Sequence, residues 1–155
     1  MLEGAGAAQI DDAMEAWALR WCRTDKDDAR PLIFSGEILT QLGRPDMALA
    51  KFGAALAREP NSAGAFIGLG RAHVVIDQGK VTDDAVKAFQ QARTLAPDDP
   101  IPWFYLALGA SQTEAYAEAA TLWPEVLKRL PTDDPRRKMA DQMLDEARTK
   151  SAQRR

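Results

Sequence analysis

Two residue types that can carry covalent or metal chemistry occur only once in this sequence, as His73 and Cys22. A catalytic nucleophile needs a base within hydrogen-bond reach, and no serine or cysteine signature accompanies His73. One cysteine cannot form an internal disulfide or a metal cluster. We therefore interpret His73 as a residue that faces a partner helix, and Cys22 as a packing residue beside Trp21. The sequence favours a protein that is not an enzyme.

Four Asp-Asp pairs are the other candidates for chemistry, because neighbouring carboxylates can bind a metal ion. They are Asp27 with Asp28, Asp83 with Asp84, Asp98 with Asp99, and Asp133 with Asp134. Each pair stands just before or inside the first turn of a predicted helix. Carboxylates there accept hydrogen bonds from free N–H groups and interact favourably with the helix dipole. We predict that the pairs cap helices, and that the protein has no metal site and no cofactor.

Composition narrows the class of protein further. The chain has 155 residues, of which 46% are hydrophobic and 28% charged, which is typical of a single soluble domain. Its net charge of −3, with both signs interspersed, argues against nucleic acid as a partner. The sequence contains no run of eighteen consecutive apolar residues, so no segment is predicted to insert into a membrane. The first ten residues lack the pattern of a signal peptide, and residues 1–6 are expected to be mobile.

An internal repeat organises the middle of the chain. The segment KFGAALAREPNSAGAFIGLG, from Lys51, returns in altered form in the stretch AFQQARTLAPDDPIPWFYLAL. Aligning the two pairs Phe52 with Phe89, and a third copy places Trp123 at the same position. The prolines that end the three copies are separated by 37 and then 34 residues. A period near 34 with helical patterning predicts pairs of antiparallel helices.

The repeat units carry residues that suit such helix pairs. Small residues at Gly36 and Ala48 allow two helices to approach closely, and Phe52 is predicted to fill the space between one hairpin and the next. The predicted units are three repeats, at residues 29–62, 63–99 and 100–131. The second unit contains a three-residue insertion in the loop 77–82, and Thr82 is the predicted N-cap after it. Pro124 falls inside a predicted helix, where it should produce a bend.

Two further helices are predicted at the ends of the chain. Ile10, Met14, Trp17 and Trp21 form one apolar stripe in residues 1–28, which we expect to pack on the repeats. Residues 132–155 are predicted to form a capping helix followed by a basic tail. Its apolar face carries Met139, Met143, Leu144 and Ala147.

The repeat pattern resembles the tetratricopeptide repeat (TPR) family over residues 29–131. The resemblance implies an all-α solenoid of antiparallel helix pairs, whose first helices line a concave groove. Residues at matching positions form the predicted groove: Ile33, Glu37, Gln41, Ile67, Arg71, Val74, Phe104, Leu108 and Ser111.

The residue types in the groove favour one class of ligand over another. TPR domains that clamp a peptide carboxylate use Lys and Asn where this chain has Ile33 and Glu37, so that ligand class is disfavoured. The apolar face of an amphipathic helix or of an extended segment fits better, with Glu37 and Arg71 setting its orientation. In the alternative interpretation, several of these residues are simply packed between repeats.

A narrower resemblance rests on the loop DQGKVTDDAVKAFQQA, the phrase LAPDDPIPWFYLAL and the ending AATLWPEVLKRLPTDDPRRKMADQML. These look like the periplasmic TPR domain of c-type cytochrome maturation factors of the CcmI or CycH type. That resemblance implies a chaperone-like protein whose groove holds the C-terminal helix of apocytochrome c and delivers it to the haem-ligation complex. Family members carry membrane helices ahead of this domain, and this sequence shows none. The sequence is therefore expected to be either the soluble domain of such a protein or a relative without the anchor.

Two other functions agree with the same residues. One is a general TPR scaffold for another bacterial protein complex, in the cell envelope or in the cytoplasm. The other is an accessory domain of a longer protein with an enzymatic part.

Overall fold

Residues 27–153 form seven successive helices in a computed structural model, which also describes residues 13, 16, 17 and 20. Residues 27–153 contain no strand, which confirms the all-α prediction. The predictions for residues 1–6, Ile10, Met14, Trp21, Cys22 and the basic end of the tail lie outside the described residues. The helices are α1 (Arg30–Gln41), α2 (Pro45–Arg58), α3 (Ala63–Ile76), α4 (Asp83–Leu95), α5 (Pro100–Gln112), α6 (Tyr116–Arg129) and α7 (Arg136–Gln153).

Each helix packs against its neighbours in the sequence, so the chain forms a row of antiparallel hairpins. The hairpins are α1 with α2, α3 with α4, and α5 with α6, and α7 packs on α6. The first helices of the first two hairpins, α1 and α3, also contact each other. None of the described helices combines the length and the apolar character needed to span a bilayer.

Aspartates begin three of the helices. The carboxylates of Asp28, Asp99 and Asp134 each accept a hydrogen bond from the backbone N–H two residues later, at 2.8–2.9 Å. Capping is therefore confirmed at these positions. Asp134 also receives the guanidinium of Arg136, and mainly this hydrogen bond lowers the pKa of Asp134 to about 2. The carboxylate of Asp134 is thus ionised at neutral pH and fixes the start of α7.

Large aromatic residues fill the spaces between hairpins. Phe52, Phe89 and Trp123 are fully buried. A β-carbon placed on Gly36 or Gly68 would lie 2.7 or 2.1 Å from the Phe52 ring, so the ring is wedged between two successive hairpins. This confirms the predicted role of Phe52. Phe89 lies against Gly70 as Phe52 lies against Gly36, but its other side differs, because the ring stacks on Tyr105 with a centroid distance of 4.5 Å.

A side-chain hydrogen bond of Thr82 closes the insertion loop. Thr82 stands at the N-cap position of α4, but its hydroxyl donates to Asp77 Oδ2 at 2.8 Å and caps nothing. The predicted N-cap position of Thr82 is therefore confirmed, but its side chain holds the loop through Asp77 and accepts no backbone N–H. The helix α6 contains Pro124 and continues past it to Arg129. The bend expected at Pro124 stays a prediction.

Candidate peptide-binding groove

The start sites of the helices fix which residues of the first helices share a face. Residues at equivalent distances from the caps recur 34 residues apart from α1 to α3 and 37 apart from α3 to α5. Ile33, Ile67 and Phe104 form one such row, and Glu37, Arg71 and Leu108 form the next. Six of the nine predicted groove residues therefore form two adjacent rows that cross α1, α3 and α5. The other three, Gln41, Val74 and Ser111, lie farther along the same helices.

The N-terminal end of the groove is an open, mainly apolar pocket. Its lining includes the predicted residues Ile33 and Glu37, together with Arg30, Phe34 and Trp17. Phe34 and Trp17 meet edge to face, with ring centroids 5.5 Å apart. Both rings stay accessible, with 44% of Phe34 and 45% of Trp17 exposed. This end of the groove therefore offers two aromatic surfaces that the predicted set did not include.

A spacing in the sequence could have indicated the position of Trp17. Trp17 precedes Phe52 by 35 residues, close to the intervals of 37 and 34 that lead to Phe89 and Trp123. An alanine stands four residues before each of these four aromatic residues. Trp17 lies in a helical segment, and its contact with Phe34 parallels the contact of Phe89 with Tyr105. Trp17 therefore occupies the place of a second-helix aromatic residue relative to α1.

The centre of the groove is partly occupied by core packing. Ile67 is only 8% exposed, so its side chain offers little area to a ligand. Val74 is half-buried against the largest core cluster, whereas Gln41 is exposed. The interpretation that groove residues pack between repeats thus describes Ile67 better than its neighbours.

Two charged residues remain available in the same region. Glu37 and Arg71 are half-buried, and neither forms an ion pair with any residue that the structure describes. A charge at a half-buried position without a partner interacts more strongly with a ligand charge than a fully solvated one does. These two side chains can therefore orient a bound segment.

The C-terminal part of the groove is apolar. Phe104 and Leu108 are half-buried on the largest core cluster, and the ring of Phe104 contacts Tyr105 and Trp123 edge to face, both with centroids at 5.6 Å. Ser111 has a structural task, because its hydroxyl donates to Ala107 O and accepts the indole N–H of Trp123, each at 3.0 Å. Phe104 and Leu108 therefore carry the apolar surface here, and Ser111 holds Trp123 in place.

Metal chemistry has no structural basis in the part of the chain that is described. Among those residues, no three His, Cys, Asp or Glu side chains lie close enough together to hold a metal ion. His73 is half-buried in the last turn of α3.

The repeat model for the tetratricopeptide repeat matches residues 36–100 and 74–135. This chain belongs to the TPR family. TPR proteins with solved structures share its fold: MamA superposes with a TM-score of 0.74 at 20% identity, over 97% of this chain and 78% of MamA. YrrB, described as a TPR protein with an unusual peptide-binding site, superposes with a TM-score of 0.69 at 22% identity, over 87% of this chain and 71% of YrrB.

Curated relatives confirm the narrower resemblance. The TPR chain is 32% identical over 107 residues to the cytochrome c-type biogenesis protein CycH of Bradyrhizobium diazoefficiens. It is 35% identical over 104 residues to CycH of Rhizobium meliloti. These alignments cover 69% and 67% of this chain but only 29% and 27% of the relatives. The chain therefore corresponds to less than a third of the length of each CycH protein.

Proposed function

We propose that this TPR module is a chaperone-like protein that holds the C-terminal helix of apocytochrome c during c-type cytochrome maturation. One observation carries the proposal: half-buried apolar side chains share a groove with charges that no described residue neutralises. An amphipathic helix presents both kinds of group. The similarity to CycH, a cytochrome c-type biogenesis protein, supports this choice of ligand.

Burial of apolar side chains in the groove supplies part of the affinity that a transient chaperone needs. Covering Ile33, Val74, Phe104 and Leu108 contributes roughly 1 kcal/mol each, because every side chain is already partly buried. Association and ordering of the ligand oppose this gain. The four side chains together give only about 4 kcal/mol, whereas a dissociation constant of about 100 μM requires about 5.5 kcal/mol. Ion pairs of the ligand with Glu37 and Arg71 must therefore contribute to micromolar binding.

The proposed setting follows from the proposed ligand. Haem attachment to c-type cytochromes requires a haem-ligation complex, so the module would work in the periplasm and pass its ligand to that complex. The chain's own part in this step is to bind and orient a protein segment.

The proposal is tested by titrating the protein with a peptide that corresponds to the C-terminal helix of a c-type apocytochrome. Tryptophan fluorescence follows binding, since Trp123 contacts Phe104 in the groove. We expect saturable micromolar binding, weakened at least about tenfold by Phe104→Glu and by Arg71→Glu. Leu95→Glu is the matched control, because Leu95 is exposed on the second helix α4.

Circular dichroism of each variant separates loss of binding from loss of fold. If Phe104→Glu unfolds the protein, Arg71→Glu still tests the groove, since Arg71 is not part of the core. A folded wild-type protein that fails to bind the peptide contradicts the choice of ligand. Binding that survives both groove substitutions contradicts the choice of site.

A further inference from the structure

The last helix, α7, begins in the same way as the repeats. The side chains of Asp28, Ser62, Asp99 and Asp134 each accept a backbone N–H at the start of α1, α3, α5 and α7. These four residues are 34, 37 and 35 positions apart. By register, α7 is therefore the first helix of a fourth unit, and its residues can be assigned to the same faces as those of α1 and α5.

On two faces of α7, the buried and exposed residues are the ones that this register predicts. Ala140, Leu144 and Ala147 are buried in the core cluster shared with α6. Lys138, Gln142 and Asp145 are exposed and stand in register with Leu32, Gly36 and Leu39, which pack against the second helix of the first repeat. Polar side chains at these positions do not accept another helix. No helix among the described residues covers this face of α7.

The third face continues the groove. Met139 stands in register with Ile33 and Phe104, and Met143 stands in register with Glu37 and Leu108. Met139 is 38% exposed. Met143 is half-buried on the same core cluster that supports Phe104 and Leu108. The two rows that cross α1, α3 and α5 thus gain a fourth, apolar member on α7.

The composition of the rows also has a direction. The charged members, Glu37 and Arg71, belong to α1 and α3, whereas α5 and α7 contribute only Phe104, Leu108, Met139 and Met143. Methionine side chains are unbranched and flexible, so they adapt to apolar partners of different shapes. An amphipathic helix fits this gradient when its largest apolar side chains lie over α5 and α7 and its charges lie toward α3.

We propose that α7 is the fourth wall of the peptide groove, and that Met139 and Met143 contact the apolar face of the bound helix. This inference rests on the function proposed above. The occupant is the same amphipathic helix, because the methionine surface is continuous in register with the groove. In this arrangement α7 packs on α6 with its buried face and binds the ligand with its methionine face.

The five methionines of the chain give a direct test. In protein labelled with ¹³C at the methionine methyl groups, each resonance is assigned by a single Met→Leu substitution. Adding the apocytochrome helix peptide should shift the methyl resonances of Met139 and Met143. Met47 is the internal control, because it is 41% exposed on the second helix α2 and lies outside both rows.

Affinity measurements complete the test. Met139→Glu should weaken peptide binding about tenfold, whereas Met47→Glu should leave it unchanged. Peptide binding that depends on Phe104, with no change at the Met139 and Met143 methyl groups, overturns the role of α7 and keeps the proposed function. Absence of binding by the folded wild-type protein overturns the proposed function and the role of α7 together.

Discussion

Phe52 shows how single residues set the spacing of the hairpins. Its ring is wedged between Gly36 in its own repeat and Gly68 in the next, with no room for a β-carbon on either side. Gly53, the next residue in the chain, has a different environment: a β-carbon there would meet nothing within 4 Å. The two helical glycines Gly68 and Gly53 therefore differ in whether packing requires them.

The same substitution at both positions separates these roles. Gly68→Ala should lower the free energy of unfolding by about 1–3 kcal/mol, because the new methyl group overlaps the fully buried Phe52 ring. Gly53→Ala should raise it by about 0.5–1 kcal/mol, since alanine restricts the unfolded chain and favours a helix. Urea denaturation followed by circular dichroism measures both changes. Equal stabilities of the two variants would show that Phe52 moves aside.

At the scale of elements, the insertion loop between α3 and α4 is held by a residue from another repeat. The side-chain carboxamide of Gln112 accepts from Val81 N and donates to Gly79 O, each at 2.9 Å. Gly79 adopts a positive φ of 91°, and Val81 packs where a β-carbon on Gly109 would meet it at 3.1 Å. The inserted residues therefore connect the second repeat to the third.

Removing this connection should loosen the loop without unfolding the helices. Gln112→Ala deletes two hydrogen bonds that together stabilise the closed loop by about 1–2 kcal/mol. Trypsin should then cleave after the exposed Lys80 about five to thirty times faster, because cleavage requires local opening. Gln142→Ala, at an exposed position on α7, serves as the matched control. If Gln112→Ala is cleaved no faster than the control, Gln112 does not hold the loop.

At the scale of the whole molecule, the core formed by the residues that the structure describes is uneven. One cluster of fourteen buried residues joins α4, α5, α6 and α7 with Val81 of the preceding loop. The first repeat and its contact with α3 rely on two clusters of four buried residues each. Since solenoid units contact only their neighbours, local stability follows the core that each unit shares. The C-terminal half should therefore be the more stable part.

Native-state hydrogen exchange tests this distribution. Amide protons in α5 and α6 should exchange at least about tenfold more slowly than those in α1 and α2 at equal intrinsic rates. The peptide should protect the groove helices further if it binds them. Uniform exchange across all the helices described would indicate a single cooperative unit.

The sequence by itself determined the features that depend on local spacing. The repeat period, the caps at Asp28, Asp99 and Asp134, and the aromatic residue between hairpins could all be predicted, because each follows from residue types at fixed distances along a helix. The resemblance to the TPR family also indicated which residues of the first helices share a face. It could not indicate how deeply each one is buried.

Contacts between distant parts of the chain were decided only by the tertiary structure. The bond of Gln112 to Val81 joins residues 31 positions apart, and Ile67 is covered by packing that its own helix does not specify. Thr82 is at the N-cap position of α4, but its hydroxyl donates a hydrogen bond to the carboxylate of Asp77, five residues earlier. The groove follows the same division, because periodicity assigns its rows while the packing of neighbouring helices decides which side chains a ligand can reach.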